Sequence, residues 1–343
     1  MRHTLLFAFL GACVGCGGLA DEHVGEQAQA CAIESEEIIT RDHHITLANG
    51  ATLHVVEKFT ASALHGKRRA ILMLPATLVT HLIWNADVPG QPEFNGLERA
   101  AREGFFAYTL DYEGYGSSSH PPDGKSVTVD RMTEDAGYLV RWIRQRRGVP
   151  KVDIIGSSLG SSVAVSLGGT HSPVPRRWIG HIVLTAHVYK NVTPMMSEFF
   201  LTPELKQMLL GVPGGYIDTS PMQYGLVLSA ADPLVQAYCF ENCPGQYAVG
   251  PTLAGFDLPI VEASLGRAPV LQFWGDQDMI TPLGDAQQFQ AEYGGPHTLV
   301  VLNGGAHVPQ WESVRDQFWS NTFAFLDDDD DHHDDDDDGH HHH

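Results

Sequence analysis

The pentapeptide Gly156-Ser157-Ser158-Leu159-Gly160 constrains the fold more than any other segment of the chain. It follows a short strand-like segment, Lys151 to Ile155, and leads into the small-residue run Ser161 to Leu167. Taken as strand, turn and helix, this is G-x-S-x-G in the context that gives the pattern its meaning. A strand that passes so quickly into a helix must turn sharply, so the flanking positions have to be small, as Gly156 and Gly160 are. The turn pushes the Ser158 hydroxyl out at the C-terminal edge of a sheet. It also leaves the Leu159 amide at the start of a helix whose dipole favours an anion. The small-residue pattern centres on Ser158, so Ser157 is not read as the outward hydroxyl.

The rest of the body supplies the alternation such a turn needs. Residues 43 to 59 alternate in polarity around Asn49-Gly50, a strong hairpin signal. Ala70 to Leu74, Phe105 to Leu110, Ile182 to Thr185, Ala268 to Trp274 and His297 to Leu302 read as short buried strands. Helical spacing marks Leu97 to Glu103, Val127 to Arg147, Leu283 to Tyr293 and Trp311 to Leu326. Strands alternating with helices predict an α/β fold with a mostly parallel, doubly wound sheet. Residues 187 to 267 break the alternation. They carry Met195, Met196, Phe199, Phe200, Leu209, Leu210, Met222 and Tyr224 among many Pro and Gly, and read as an inserted cap over one edge of the sheet.

A serine hydroxyl is a poor nucleophile near neutral pH and needs a base, which itself needs an orienting acid. Asp278 lies just past the strand ending at Trp274, and His307 just past the one ending at Leu302, after Gly304-Gly305. Both stand where strand C-termini meet loops, the edge at which open α/β sheets bind ligands. Asp276 competes with Asp278 for the acid's role. Of the 19 His, only His307 follows a late strand through a Gly-Gly turn.

With these residues in place, the stretch from about 36 to 326 resembles an α/β-hydrolase. Leu110-Asp111-Tyr112-Glu113-Gly114-Tyr115-Gly116-Ser117-Ser118 is similar to that family's Asp-x-Arg-Gly-x-Gly-x-Ser segment, with Glu113 where Arg is usual. The hairpin at Asn49-Gly50 resembles the family's opening strands. The resemblance implies a Ser158–Asp278–His307 triad, acyl transfer through a covalent intermediate, and no metal or organic cofactor. It also implies an oxyanion hole built from the Leu159 amide and one in the loop Leu74-Pro75-Ala76-Thr77-Leu78. That loop lacks the family's His-Gly, and either Ala76 or Thr77 can donate, with Thr77 favoured by position. The expected substrate is a small-molecule ester, lipid-like if the cap's Met, Phe and Leu face it rather than form the cap's own core. A peptidase or amidase of the same fold, or a surface lipoprotein using the fold only for binding, remains open.

The two ends read as something other than fold. Met1-Arg2-His3, the apolar run Thr4 to Leu10 and the small residues to Gly18 make a secretory signal peptide. Leu10-Gly11-Ala12-Cys13 resembles a bacterial lipobox, with Cys16 a second candidate for the lipid-bearing residue; residues 19 to 35 read as a tether. The expectation is an exported chain, held at the envelope's membrane if lipidated and otherwise secreted or periplasmic. Residues 327 to 343, rich in Asp and His, cannot bury apolar surface and are expected to be disordered. Of the formal charge of −21, ten acids belong to this tail, and the remainder carries −11. That balance disfavours nucleic acid as a partner. Of the five Cys, Cys239 and Cys243 are expected to form a local disulfide, since no second pair of metal ligands stands nearby. The sequence sets no oligomeric state.

Overall fold

The computed structural model describes residues 37–327, apart from residues 67, 220–224, 226 and 244. Strands β1 (Ile38–Thr46) and β2 (Thr52–Thr60) form the opening antiparallel hairpin. Its turn places Gly50 at φ 86°, where a side chain would be strained. Next come β3 (Arg69–Leu74), α1 (Gly96–Arg102), β4 (Phe105–Leu110), α2 (Val129–Arg147), β5 (Val152–Ser157), α3 (Leu159–Leu167) and β6 (Ile179–Thr185). Helix α2 starts where the Thr128 side chain accepts the Arg131 amide, and it stops at Gly148 in the left-handed region.

Among the described residues, 187–267 include the short helices α4 (Pro194–Phe199), α5 (Pro203–Leu210), α6 (Pro233–Asn242) and α7 (Gly250–Ala254). They also hold a two-stranded antiparallel sheet of β7 (Tyr216–Asp218) and β8 (Gln246–Ala248). The chain then returns through β9 (Val270–Gly275), α8 (Leu283–Glu292), β10 (His297–Leu302) and α9 (Arg315–Asp327).

The main sheet has eight strands in the order β1-β2-β4-β3-β5-β6-β9-β10. β2 is antiparallel to both neighbours, and every pairing from β4 to β10 is parallel. This is the mostly parallel, doubly wound α/β sheet expected from the alternation. The central strands are buried on both faces, which is why they read as unbroken apolar runs. Leu72, Leu74, Ile154 and Leu184 join α2 and α3 in one core. Ile71, Met73, Ile155, Val183 and Phe273 join α1, α6 and α9 in the other.

Two boundaries differ from the sequence expectation in ways that matter. Strand β5 runs on through Ser157 and α3 begins at Leu159, so the turn between them is Ser158 alone. The helix expected from Trp311 starts only at Arg315, after a 3-10 turn at Pro309–Trp311. Trp311 is fully buried and donates its indole N–H to the Phe94 carbonyl at 3.1 Å, which holds that turn apart from the helix.

The segment 187–267 lies against loops at the C-terminal ends of several strands rather than along one outer strand. Thr252 meets Thr77 after β3, Ala248 bonds Gly114 after β4, Thr193 bonds Ile280 after β9, and Asp232 bonds Trp311 after β10.

Candidate active site

Ser158 sits at φ 50° and ψ −114°, a conformation that a residue with a Cβ rarely adopts. Such strain costs on the order of 1–3 kcal/mol and persists only where the surroundings over-determine it. Here the Ser158 amide donates to the Thr185 carbonyl on β6 at 2.9 Å. The Ser161 hydroxyl reaches the Gly156 carbonyl at 2.8 Å and the Thr185 carbonyl at 3.0 Å. The flanking glycines are required by close approach. A Cβ on Gly156 would stand 2.5 Å from the Gly160 carbonyl oxygen, and one on Gly160 would stand 2.5 Å from that of Leu74. Ser157 is fully buried and Ser158 half-buried, so the structure turns outward the serine that the pattern singled out.

Ser157 pairs with Thr185, and Thr185 with Phe273, so β5, β6 and β9 end at nearly the same level. The loops after β9 and β10 are clamped together just beyond it. A Cβ on Gly275 would lie 2.4 Å from the Gly305 backbone, and the Gln277 amide donates to the Gly305 carbonyl at 2.8 Å. That clamp brings His307 and Asp278 together. His307 Nδ1 lies 3.2 and 3.1 Å from the two Asp278 carboxylate oxygens, and both residues are buried. Asp278 Oδ1 also accepts the Ile280 amide at 2.8 Å, which fixes the carboxylate's orientation. Asp276 is exposed and accepts the Gly304 amide at 2.7 Å. The acid on the imidazole is therefore Asp278, while Asp276 braces the turn that carries His307.

At the other side of Ser158, Leu159 is the first residue of α3, where helix amides have no acceptor within the helix. Gly160 packs on the Leu74 and Pro75 carbonyls, which brings the following loop against the elbow. In that loop Ala76 is buried, Thr77 is half-buried, and Leu78 adopts φ 58°. The Thr77 hydroxyl lies 3.3 Å from that of Thr252 on α7.

The sequence pattern of the Alpha/beta hydrolase family matches residues 64–319. The chain belongs to this family. A 64-residue stretch is 41% identical to the zebrafish (Danio rerio) lysophosphatidylserine lipase ABHD12, covering 19% of this chain and 15% of that protein. A soluble variant of monoglyceride lipase from Saccharomyces cerevisiae has TM-score 0.64 at 14% identity, over 84% of this chain and 96% of that one. An esterase from Exiguobacterium antarcticum has TM-score 0.60 at 16% identity, over 83% and 99%. A hydrolase from Pseudomonas aeruginosa gives 0.60 at 20%, over 84% and 98%. At these identities the structural likeness speaks for the fold.

In this hydrolase the Asp111 segment works as a latch. Asp111 is buried and accepts from His54 Nδ1 at 3.0 Å, from His81 Nδ1 and the His81 amide at 2.8 Å each, and from the Ser117 amide at 3.0 Å. Burial pushes its carboxyl up, but the bonds from His54 and His81 outweigh burial and hold it well below the usual carboxylate range. The bond to Asp111 likewise raises His54. Among the described residues, His54, His81 and Asp111 are the one group whose ligand atoms lie close enough to hold a metal ion, within 4.8 Å of one another. The carboxylate's acceptor positions are already taken by these four donors, so its evident work is to tie β2 to the loops after β3 and β4. Glu113, the departure from the family's Arg, is buried and ion-paired with Arg131 on α2.

Glu312 was not singled out by sequence reasoning. It is fully buried, and its carboxylate accepts the amides of Ala306 and Val308, the residues on either side of His307. The available signal was an acid five positions after a Gly-Gly-Ala-His turn. Cys239 and Cys243, at the end of α6, are joined with Cα atoms 4.9 Å apart. Cys13 and Cys16, with the signal peptide and tether, and the tail from residue 328 lie outside the described residues. Among the described residues no helix is long and apolar enough to cross a membrane.

Proposed function

We propose that this α/β-hydrolase cleaves carboxylic esters through an acyl-enzyme on Ser158. The observation that carries this reading is the strained Ser158 elbow at the same sheet edge as the buried His307–Asp278 pair. His307, oriented by Asp278, takes the proton of Ser158 as its hydroxyl attacks the carbonyl carbon. The Leu159 amide, with that of Thr77 or Ala76, holds the oxyanion. His307 then gives the proton to the departing alcohol, and the same steps with water release the acid. No step calls for a metal or organic cofactor.

The substrate class is a lipid-like ester. In the cap, Phe199 is 69% and Met208 60% exposed, with Phe200 and Leu210 also exposed. Met279, next to Asp278, is exposed as well, and its carbonyl accepts the Thr193 hydroxyl at the start of α4. This joins the apolar cap surface to the catalytic loop. A lipid substrate also agrees with the names of the lysophosphatidylserine lipase and the monoglyceride lipase among its relatives.

The test is turnover of p-nitrophenyl acyl esters of increasing chain length beside aminoacyl anilides. A fluorophosphonate adduct would be mapped by mass spectrometry in parallel. Turnover of the longer esters, with the adduct on Ser158, is expected. Faster anilide cleavage would make the protein an amidase or peptidase, and no adduct would leave a binding module. We further propose that the chain is exported and carries its lipid anchor on Cys13. Metabolic palmitate labelling is expected to vanish in Cys13→Ser; loss only in Cys16→Ser would move the anchor to Cys16.

A further inference from the structure

We infer that Glu312 is a second carboxylate serving His307, a positioning residue that fixes the imidazole's backbone and adds negative charge beside it. The inference rests on the reading of His307 as the base.

His307 sits on a loop, and loops hold side chains less firmly than helices or strands do. The imidazole must nevertheless stay within hydrogen-bond reach of its partner through two proton transfers, and about 1 Å of misplacement can cost on the order of a hundredfold in rate. Asp278 fixes the ring at Nδ1. Nothing in that bond fixes the Cα. Glu312 does so, because its two oxygens accept the amides immediately before and after His307. The carboxylate is itself rigidly mounted. The Glu312 backbone bridges Ala231 in the cap, its carbonyl accepts the Arg315 amide at 3.1 Å, and the adjacent Trp311 is locked in the core. The 3-10 turn that delayed α9 is thus what brings Glu312 back under His307.

Holding two amides suits a carboxylate, whose oxygens both accept. An uncharged Gln at this position would point an N–H₂ at one of the two donors. Burial pushes the Glu312 carboxyl up and Asp278 adds to this; the two amides and the nearby His307 oppose it only in part, so the net direction is upward. Two carboxylates thus stand beside the imidazole's segment, Asp278 from the loop after β9 and Glu312 from the segment leading into α9. A negative Glu312 favours the imidazolium that forms as Ser158 attacks.

The test uses the full chain, p-nitrophenyl ester turnover and the imidazole titration of isotope-labelled histidine. Glu312→Gln is expected to lower kcat by about 10- to 100-fold. It should also move the acid limb of kcat/KM, and the His307 titration with it, to lower pH by about half a unit to one unit. Glu312→Asp keeps the charge but is too short to hold both amides. It is expected to lose rate while leaving the acid limb in place. A Glu312→Gln protein with reduced rate and an unmoved acid limb would show that the side chain only supports the loop, and would overturn the charge role. A Glu312→Asp protein with wild-type kcat would overturn the positioning role, and this arm stands even if the Gln variant does not fold. If wild-type protein hydrolyses no ester at all, the esterase reading fails, and the imidazole titration still judges Glu312.

Discussion

Ser158→Ala is expected to lower kcat by about 10⁵- to 10⁶-fold, because removing the nucleophile of a working triad costs nearly as much as removing the triad. What survives, roughly 10³-fold over water, belongs to the oxyanion amides and to substrate binding. The same position makes an opposite prediction for stability. The backbone at Ser158 stays at φ 50° whatever side chain it carries, because the Thr185 and Gly156 carbonyls pin the elbow from both sides. Alanine keeps its Cβ and with it the strain. Glycine relieves on the order of 1–3 kcal/mol of it, less the roughly 0.5–1 kcal/mol that glycine's freedom in the unfolded chain takes back. Ser158→Gly should therefore be inactive and more stable than Ser158→Ala, read as a higher urea midpoint at unchanged slope. An alanine variant with wild-type ester turnover would remove Ser158 from the mechanism. Equal midpoints for the two variants would remove the strain.

The same locality explains why Ser158, Asp278 and His307 could be picked from the sequence. Each stands at the end of an apolar run, and Ser158 and His307 also stand beside glycines that a tight approach demands. Their place at the sheet's C-terminal edge is announced by neighbours in the chain. The sequence favoured Asp278 but left Asp276 as a competitor, because the choice depends on which carboxylate turns inward. Asp278 is buried on the imidazole and Asp276 is exposed on Gly304. The latch around Asp111 was hidden for a related reason. His54 and His81 lie 57 and 30 residues away in sequence, and only the crossing of β2 with two loops makes them partners. The cap is a different case. Helices α4, α5 and α6 lie among many Pro and Gly where no regular alternation stands out, but each is opened by a capping residue followed by proline: Thr193-Pro194, Thr202-Pro203 and Asp232-Pro233. That pairing is a start signal in its own right, and periodicity alone passed over it.

Asp135→Asn is expected to make the protein markedly more stable at alkaline pH while changing little in acid. Asp135 lies on the buried side of α2, and one of its oxygens has no hydrogen-bond partner. Burial, and then the charge of Glu113, push its carboxyl up to about 7, with Arg131 only partly opposing. The Glu at position 113, where the family usually has Arg, is thus part of the cause. Since the folded value lies above the unfolded one, the native state holds a proton that the unfolded chain has already lost between about pH 4 and 7. Stability is full below that window, falls as pH rises through it, and is flat above it. At 1.36 kcal/mol for each unit, the whole fall is at most about 4 kcal/mol. Asparagine is neutral throughout, so the variant should show no such fall. Urea unfolding at about pH 4 and about pH 8 should give equal midpoints for the two proteins in acid and a clear gain for the variant in base. Glu113→Gln removes the like charge but not the burial, so it should recover only part of that gain. A wild-type stability that is level between those two values would show that Asp135 ionises normally in the fold. A gain in Glu113→Gln equal to that in Asp135→Asn would shift the cause from burial to the neighbouring charge.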